Sequence, residues 1–122
     1  MAEPCEVCKA RDEFADWFGG LERSDKVRVE AAMEALEELG PALGRPWADS
    51  LEGTELKELI PRGGYMRILF RFDPRRTGIL LLGGDKDQQW QVWYRENIPR
   101  AERLYEVYLD ELRAEGLIDE DK

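Results

Sequence analysis

Between Leu56 and Lys86, in the stretch LKELIPRGGYMRILFRFDPRRTGILLLGGDK, the chain reads as three short antiparallel strands; the segments on either side carry a helical period. The breaks fall at Pro61-Arg62-Gly63-Gly64 and Asp73-Pro74-Arg75-Arg76, each a turn signal between apolar runs. In the middle strand Met66, Ile68, Phe70 and Phe72 share one face, and Tyr65, Arg67, Leu69 and Arg71 share the other. Upstream, Phe14, Trp17, Phe18 and Leu21 recur at i, i+3, i+4 and i+7, predicting a short helix closed by Gly19-Gly20. A second helix is expected to start at a Ser24 cap, run along Val29, Ala32, Met33, Leu36 and Leu39, and stop at Gly40-Pro41. Downstream, Pro99 fits the first position of a closing helix with the stripe Ala101, Leu104, Tyr105, Tyr108 and Leu112. Residues 3–10 suit an edge strand, with Pro4 near its start.

The resulting order is β-α-α-β-β-β-α. It predicts an α+β fold: an antiparallel sheet of about four strands with two N-terminal helices and a C-terminal helix. A single domain over residues 1–116 is expected, followed by an acidic tail at 117–122. The helices are expected on one side of the sheet, leaving the face of Arg67 and Arg71 open. Residues 41–53, with two prolines and two glycines, form a connector that must still place Trp47 and Leu51.

Charge changes the picture of that face. The formal net charge of −9 argues against a nucleic-acid binder until its distribution is considered. Residues 54–100 hold 9 basic and 6 acidic side chains, whereas the segments before and after are strongly acidic. Acidic surface helices flanking an ordinary sheet are the plainer explanation. No apolar run approaches the roughly 20 residues of a membrane helix. The opening MAEPCEVCKARDEF is too polar and acidic for a signal peptide, so a cytoplasmic location is expected. Cys5 and Cys8 form a lone C-x-x-C without the further ligands a zinc site needs; two ordinary thiols are expected, with a labile disulfide or an intermolecular metal site as the alternative.

The chain contains no histidine, which removes histidine-based triads, bases and metal ligands. What remains near the sheet is Lys57, Arg62, Arg67, Arg71 and Lys86, with Tyr65, Trp93 and Tyr94. Cations meet phosphates and rings stack on unpaired bases, so this set suits RNA. A ribose 2′-hydroxyl attacking its own phosphate also needs the charge stabilisation that arginine or lysine supplies. The alternatives are a solvated strand face for the arginines and core packing for Trp90, Trp93 and Tyr94.

Five segments, in this order, resemble the RelE/ParE superfamily of type II toxins, in its HigB-like branch. They are Lys57-Glu58-Leu59-Ile60, Tyr65-Met66-Arg67-Ile68-Leu69-Phe70, Gly83-Gly84-Asp85-Lys86, Trp93-Tyr94 and Ile98-Pro99-Arg100-Ala101. The resemblance covers most of the chain. It implies a ribosome-dependent mRNA endonuclease that inhibits translation, uses no metal or cofactor, and is neutralised by a helix-turn-helix antitoxin. It places Arg67 on the scissile phosphate, Lys86 beside it and Tyr94 against a base, these three being the expected catalytic group. Lys57, Arg62, Arg71 and Trp93 would contact RNA. Two features depart from the family: Ile60 stands where the strand usually ends in arginine, and the net charge is negative where such toxins are usually basic. A non-catalytic interaction protein on the same fold, a degenerate toxin or a ParE-like inhibitor, is the alternative function.

Overall fold

The computed structural model describes residues 7–85 and 89–118, with side chains from residue 11 onward. The elements are β1 (Val7–Ala10), α1 (Asp12–Gly19), α2 (Arg23–Leu39), a 3-10 turn (Gly40–Ala42), β2 (Ala48–Ser50), β3 (Lys57–Leu59), β4 (Met66–Phe72), β5 (Gly78–Asp85) and α3 (Trp90–Ala114). They build one sheet in the order β1-β5-β4-β3-β2. Strands β2 to β5 pair antiparallel, and β1 adds to the edge of β5 in parallel. The α+β class and the three helices are as expected. The sheet gains a strand, because the connector contributes Ala48–Ser50 to the far edge beside β3.

Strand parity in β4 holds. Met66, Ile68 and Phe70 are buried with Phe14 of α1 and Val29, Ala32 and Leu36 of α2, and Phe72 packs against that cluster. Tyr65 departs from it: before the strand begins, it packs toward α2 and its hydroxyl donates to Asp25. The α2 stripe is also close to expectation, although Leu39 is exposed and the helix begins at Arg23, so Ser24 lies inside the first turn.

The open face does not exist. Leu69 of β4 and Ile79, Leu81 and Leu82 of β5 are buried under α3, against Trp93, Ala101, Tyr105, Tyr108, Leu109 and Leu112. The helices therefore cover both faces of the sheet. The physical reason is the run Ile79-Leu80-Leu81-Leu82, which puts apolar groups on both sides of β5 and demands cover on both. Helix α3 also starts earlier than Pro99 suggests, at Trp90, and carries the proline inside. A proline within a helix costs about 3 kcal/mol. Burying a large apolar side chain contributes about 1.5–3 kcal/mol, and α3 buries six residues against the sheet.

Gly83 and Gly84 are strand residues. They lie inside β5 because two tryptophans press on it from opposite sides. A Cβ on Gly83 would lie 2.2 Å from the Trp17 ring of α1, and one on Gly84 would lie 2.5 Å from Trp93 Nε1 of α3. The two predicted turns are present. Gly64 N–H donates to the Pro61 carbonyl at 3.2 Å, with Gly63 and Gly64 at φ of 97° and 73°. The Asp73 carboxylate accepts from the N–H groups of Arg75 and Thr77 at 2.8 and 2.9 Å. Past α3, Ile118 folds back onto the core beneath the helix.

Candidate nucleic-acid site

Glu58 of β3 and Arg67 of β4 point to the α3 face, because each lies on the same parity as Leu69, the Cα partner of Glu58. The first turns of α3 supply Trp90 and Tyr94, four residues apart and therefore on one side of the helix. Trp93 seats against Gly84, which is the Cα partner of Arg67 across the β4–β5 ladder. The end of the sheet and the start of α3 thus converge on Arg67.

The Arg67 guanidinium is held on several sides. Nη1 donates to the carbonyls of Gly64 and Met66, the latter at 3.1 Å. Nε lies 3.8 Å from Glu58 Oε1, and Cζ stands 5.3 Å from the centroid of the Trp90 ring. The side chain is 20% exposed, and its buried Nε has no hydrogen-bond partner among the described residues. Glu58 is buried, and its other oxygen accepts a hydrogen bond from the Tyr94 hydroxyl. Burial, then the bond to the Glu58 carboxylate, pushes the Tyr94 phenol up to about 12. The rings of Trp90, Trp93 and Tyr94 form a mutual cluster, with centroids 5.3–6.0 Å apart.

The other expected RNA contacts lie apart from this group. Arg71 shares the α3 face but sits over the Tyr105 ring, 4.4 Å from its centroid. Lys57 falls on the opposite face, 5.9 Å from the Phe72 ring. Arg62 is in the β3–β4 loop, with its guanidinium 5.8 Å from the Trp47 ring. There it borders a groove of about 540 Å³ that also includes Val27, Ala31, Ala35 and Leu39 of α2. Trp93 is buried, and its ring meets those of Trp90 and Tyr94. Lys86 lies outside the described residues, as does Cys5. Among the described residues no group of three acidic, cysteine or histidine side chains could hold a metal ion.

Two members of the site were not singled out from the sequence. Glu58 enters the sequence reading only within the segment Lys57-Glu58-Leu59-Ile60, with no role of its own, and its parity with Arg67 follows from the pairing of β3 and β4. Trp90 packs against the second core, as the core alternative expects, and its half-buried ring also carries the Arg67 guanidinium.

The profile of the family described as "Phage derived protein Gp49-like (DUF891)" matches residues 16–106. The putative toxin HigB3 of Mycobacterium tuberculosis is 47% identical over 96 residues, covering 76% of this chain and 84% of that protein. The putative toxin HigB2 of the same organism is 40% identical over 104 residues, covering 80% of this chain and 52% of that longer protein. Among solved structures, the toxin–antitoxin complex RelBE2 of M. tuberculosis contains a chain that aligns with a TM-score of 0.53 at 21% identity. That alignment covers 72% of this chain and 98% of the other, a likeness of fold.

Proposed function

Because this chain belongs to the Gp49-like family, in the HigB-like branch of the RelE/ParE toxins, we propose that it is the toxin of a toxin–antitoxin pair and cleaves mRNA on the ribosome. The observation that carries the reading is the Arg67 guanidinium. It is fixed between Glu58, two backbone carbonyls and the Trp90 ring, with the Tyr94 hydroxyl on the same carboxylate. In a chain without histidine, this arrangement offers a phosphate a pre-oriented cation and offers an unstacked base a set of rings. Lys86, next in sequence to the last residue of β5, is the second cation of the proposed site. Arg67 stabilises charge that builds on the scissile phosphate, while Trp90 and Tyr94 hold the neighbouring nucleotide. The partner that silences the protein is an antitoxin of the helix-turn-helix kind.

Inducible expression of wild type and Arg67→Ala, with mRNA 5′ ends mapped in each, tests the reading. Growth arrest with new 5′ ends is expected for wild type. Loss of one such charge stabiliser lowers the cleavage rate by about 10²–10³-fold. Arrest without new ends would transfer the target to a protein, and arrest undiminished in Arg67→Ala would remove Arg67 from the site.

A further inference from the structure

We propose that Glu58 is the terminal proton acceptor of the cleavage step, taking the proton of the attacking ribose 2′-hydroxyl through the Tyr94 hydroxyl. The inference rests on the RNA-cleavage reading above and adds to it a direction for the proton.

The geometry supplies a relay with a defined end. The Tyr94 hydroxyl donates to Glu58 Oε2, while Glu58 Oε1 lies 3.8 Å from Arg67 Nε. One carboxylate therefore links the group that can meet a 2′-hydroxyl to the group that can meet the phosphate. Among the described residues, the charged and titratable groups facing Glu58 are Arg67 from β4, Tyr94 from α3 and, across the β2–β3 ladder, Asp49, whose carboxylate is tied to Arg45 and the Ser50 N–H. Elimination points the same way. Arginine holds its proton at any working pH. A phenol raised to about 12 keeps its own proton and cannot store another, although it can pass one along its hydrogen bond. The chain has no histidine. Among the described residues around Arg67, the Glu58 carboxylate is the group that can take up a proton and return it to water.

The step balances. The 2′ oxygen gives its proton to the Tyr94 oxygen as the tyrosine's own proton moves to Glu58. The 2′ oxygen bonds to phosphorus, and the bond from phosphorus to the 5′ oxygen breaks, its electron pair leaving with that oxygen. Water protonates the leaving oxygen. The products are a 2′,3′-cyclic phosphate and a 5′-hydroxyl, and Glu58 resets by losing its proton to solvent. Arg67 stays charged throughout and faces the phosphate oxygens.

The test is single-turnover cleavage of a ribosome-bound mRNA by the full chain at several pH values, for wild type, Glu58→Gln, Glu58→Asp, Tyr94→Phe and Lys86→Ala. Wild type should show a rate that rises with pH and then levels, the signature of a step that needs a free base. Glu58→Gln keeps the shape and the acceptor atom for Tyr94 but cannot take the proton. It should lose about 10²–10⁴-fold in rate and lose the rising limb. Glu58→Asp should recover part of the rate with the limb restored, and Tyr94→Phe should approach the loss of Glu58→Gln. Binding of an uncleavable 2′-deoxy mRNA should be unchanged in Glu58→Gln, which separates proton transfer from misplacement of Arg67. Cleavage by Glu58→Gln with wild-type rate and limb overturns the proposal, as does a limb lost only in Lys86→Ala, or a rate loss matched by lost binding. Absence of cleavage by wild type overturns the RNA-cleavage reading itself, and this assignment with it.

Discussion

Alanine at Gly84 and alanine at Gly83 should cost comparable stability, yet only the first should disturb the site. The alanine Cβ would lie 2.5 Å from Trp93 Nε1 at position 84 and 2.2 Å from the Trp17 ring at position 83, so in each case an indole must move. Neither glycine has a left-handed backbone, so the cost is packing. Overpacking costs about 1–3 kcal/mol, and removing a strand glycine returns about 0.5–1 kcal/mol through the unfolded chain. With overlaps this close the cost lies in the upper part of that range, about 2–3 kcal/mol, so the net is about 1–2.5 kcal/mol for each variant. At about 4 °C per kcal/mol for a domain of this size, each melting temperature should fall by about 4–10 °C. The consequences then diverge. Trp17 belongs to α1 and the opposite core, whereas Trp93 touches Trp90 and Tyr94, and Trp90 in turn carries Arg67. Thermal melts by circular dichroism give the first comparison, and mRNA cleavage well below both melting points gives the second. Equal cleavage by the two variants, or a melting point for Gly84→Ala within about 1 °C of wild type, would refute the reasoning.

Tyr108→Phe removes the hydroxyl that donates to Asp73 Oδ2 at 3.0 Å, next to a fully buried carboxylate, and should cost about 1–3 kcal/mol in urea unfolding. An unchanged midpoint would show that Arg75 and the two turn N–H groups suffice. Arg11 grips Glu111 through two hydrogen bonds, at 2.9 and 2.7 Å, and holds that carboxyl below its ordinary range. A lowered carboxyl contributes stability above the unfolded value and loses it as pH falls through the folded one. Glu111→Gln should therefore be weaker than wild type by about 0.5 kcal/mol near neutrality, after allowance for the exposure of the pair, and equal to it in strong acid. A gap that persists in acid would mean that packing, not charge, is lost. Every tyrosine in the chain is raised, Tyr65 by its bond to Asp25 and the other three first by burial. Alkaline absorbance titration should show all four ionising above the ordinary phenol value, with a step at about 12 missing in Tyr94→Phe. The stability tied to Tyr94 is complete below the unfolded phenol value of about 10 and is lost as pH rises toward the folded one. A tyrosine ionising at its ordinary value would contradict this packing.

Much of the fold was legible in sequence because its first core is built from clean periodicities. The parity of Met66, Ile68 and Phe70, and the stripe of Val29, Ala32 and Leu36, each name a face directly. The second core was misread because its signal is the absence of a pattern. Four consecutive apolar residues in β5 have no polar side to give to water, so the face assigned to arginines had to be covered. Pro99 concealed the cover by resembling a helix start, although Trp93 already stands in line with Ala101 and Tyr105, eight and twelve residues on. At the proposed site, Arg67 and Tyr94 stand out in the sequence by residue type and by the resemblance, and the fold brings them together around Glu58. Glu58 has no signal of its own in the composition, and strand pairing is what shows that it faces Arg67.

The same second core changes what the positive middle segment can do. Arg62, Arg67 and Arg71 each sit on an aromatic ring, as do Arg11 and Arg28 outside that segment, all within 5.8 Å of a ring centroid. A guanidinium on a ring keeps its charge but gives up its freedom to follow a phosphate, so these arginines are partly committed to the fold. Arg67 differs from the rest in where its ring lies: Trp90 belongs to the first turn of α3, beside a tyrosine, rather than to the covered part of the sheet. With a net charge of −9, the protein exerts little long-range attraction on free RNA. A strand that reaches Arg67 must then be held by short-range stacking and one oriented cation. Those contacts favour an RNA already presented in extended, unpaired form, as mRNA is when threaded through a ribosome.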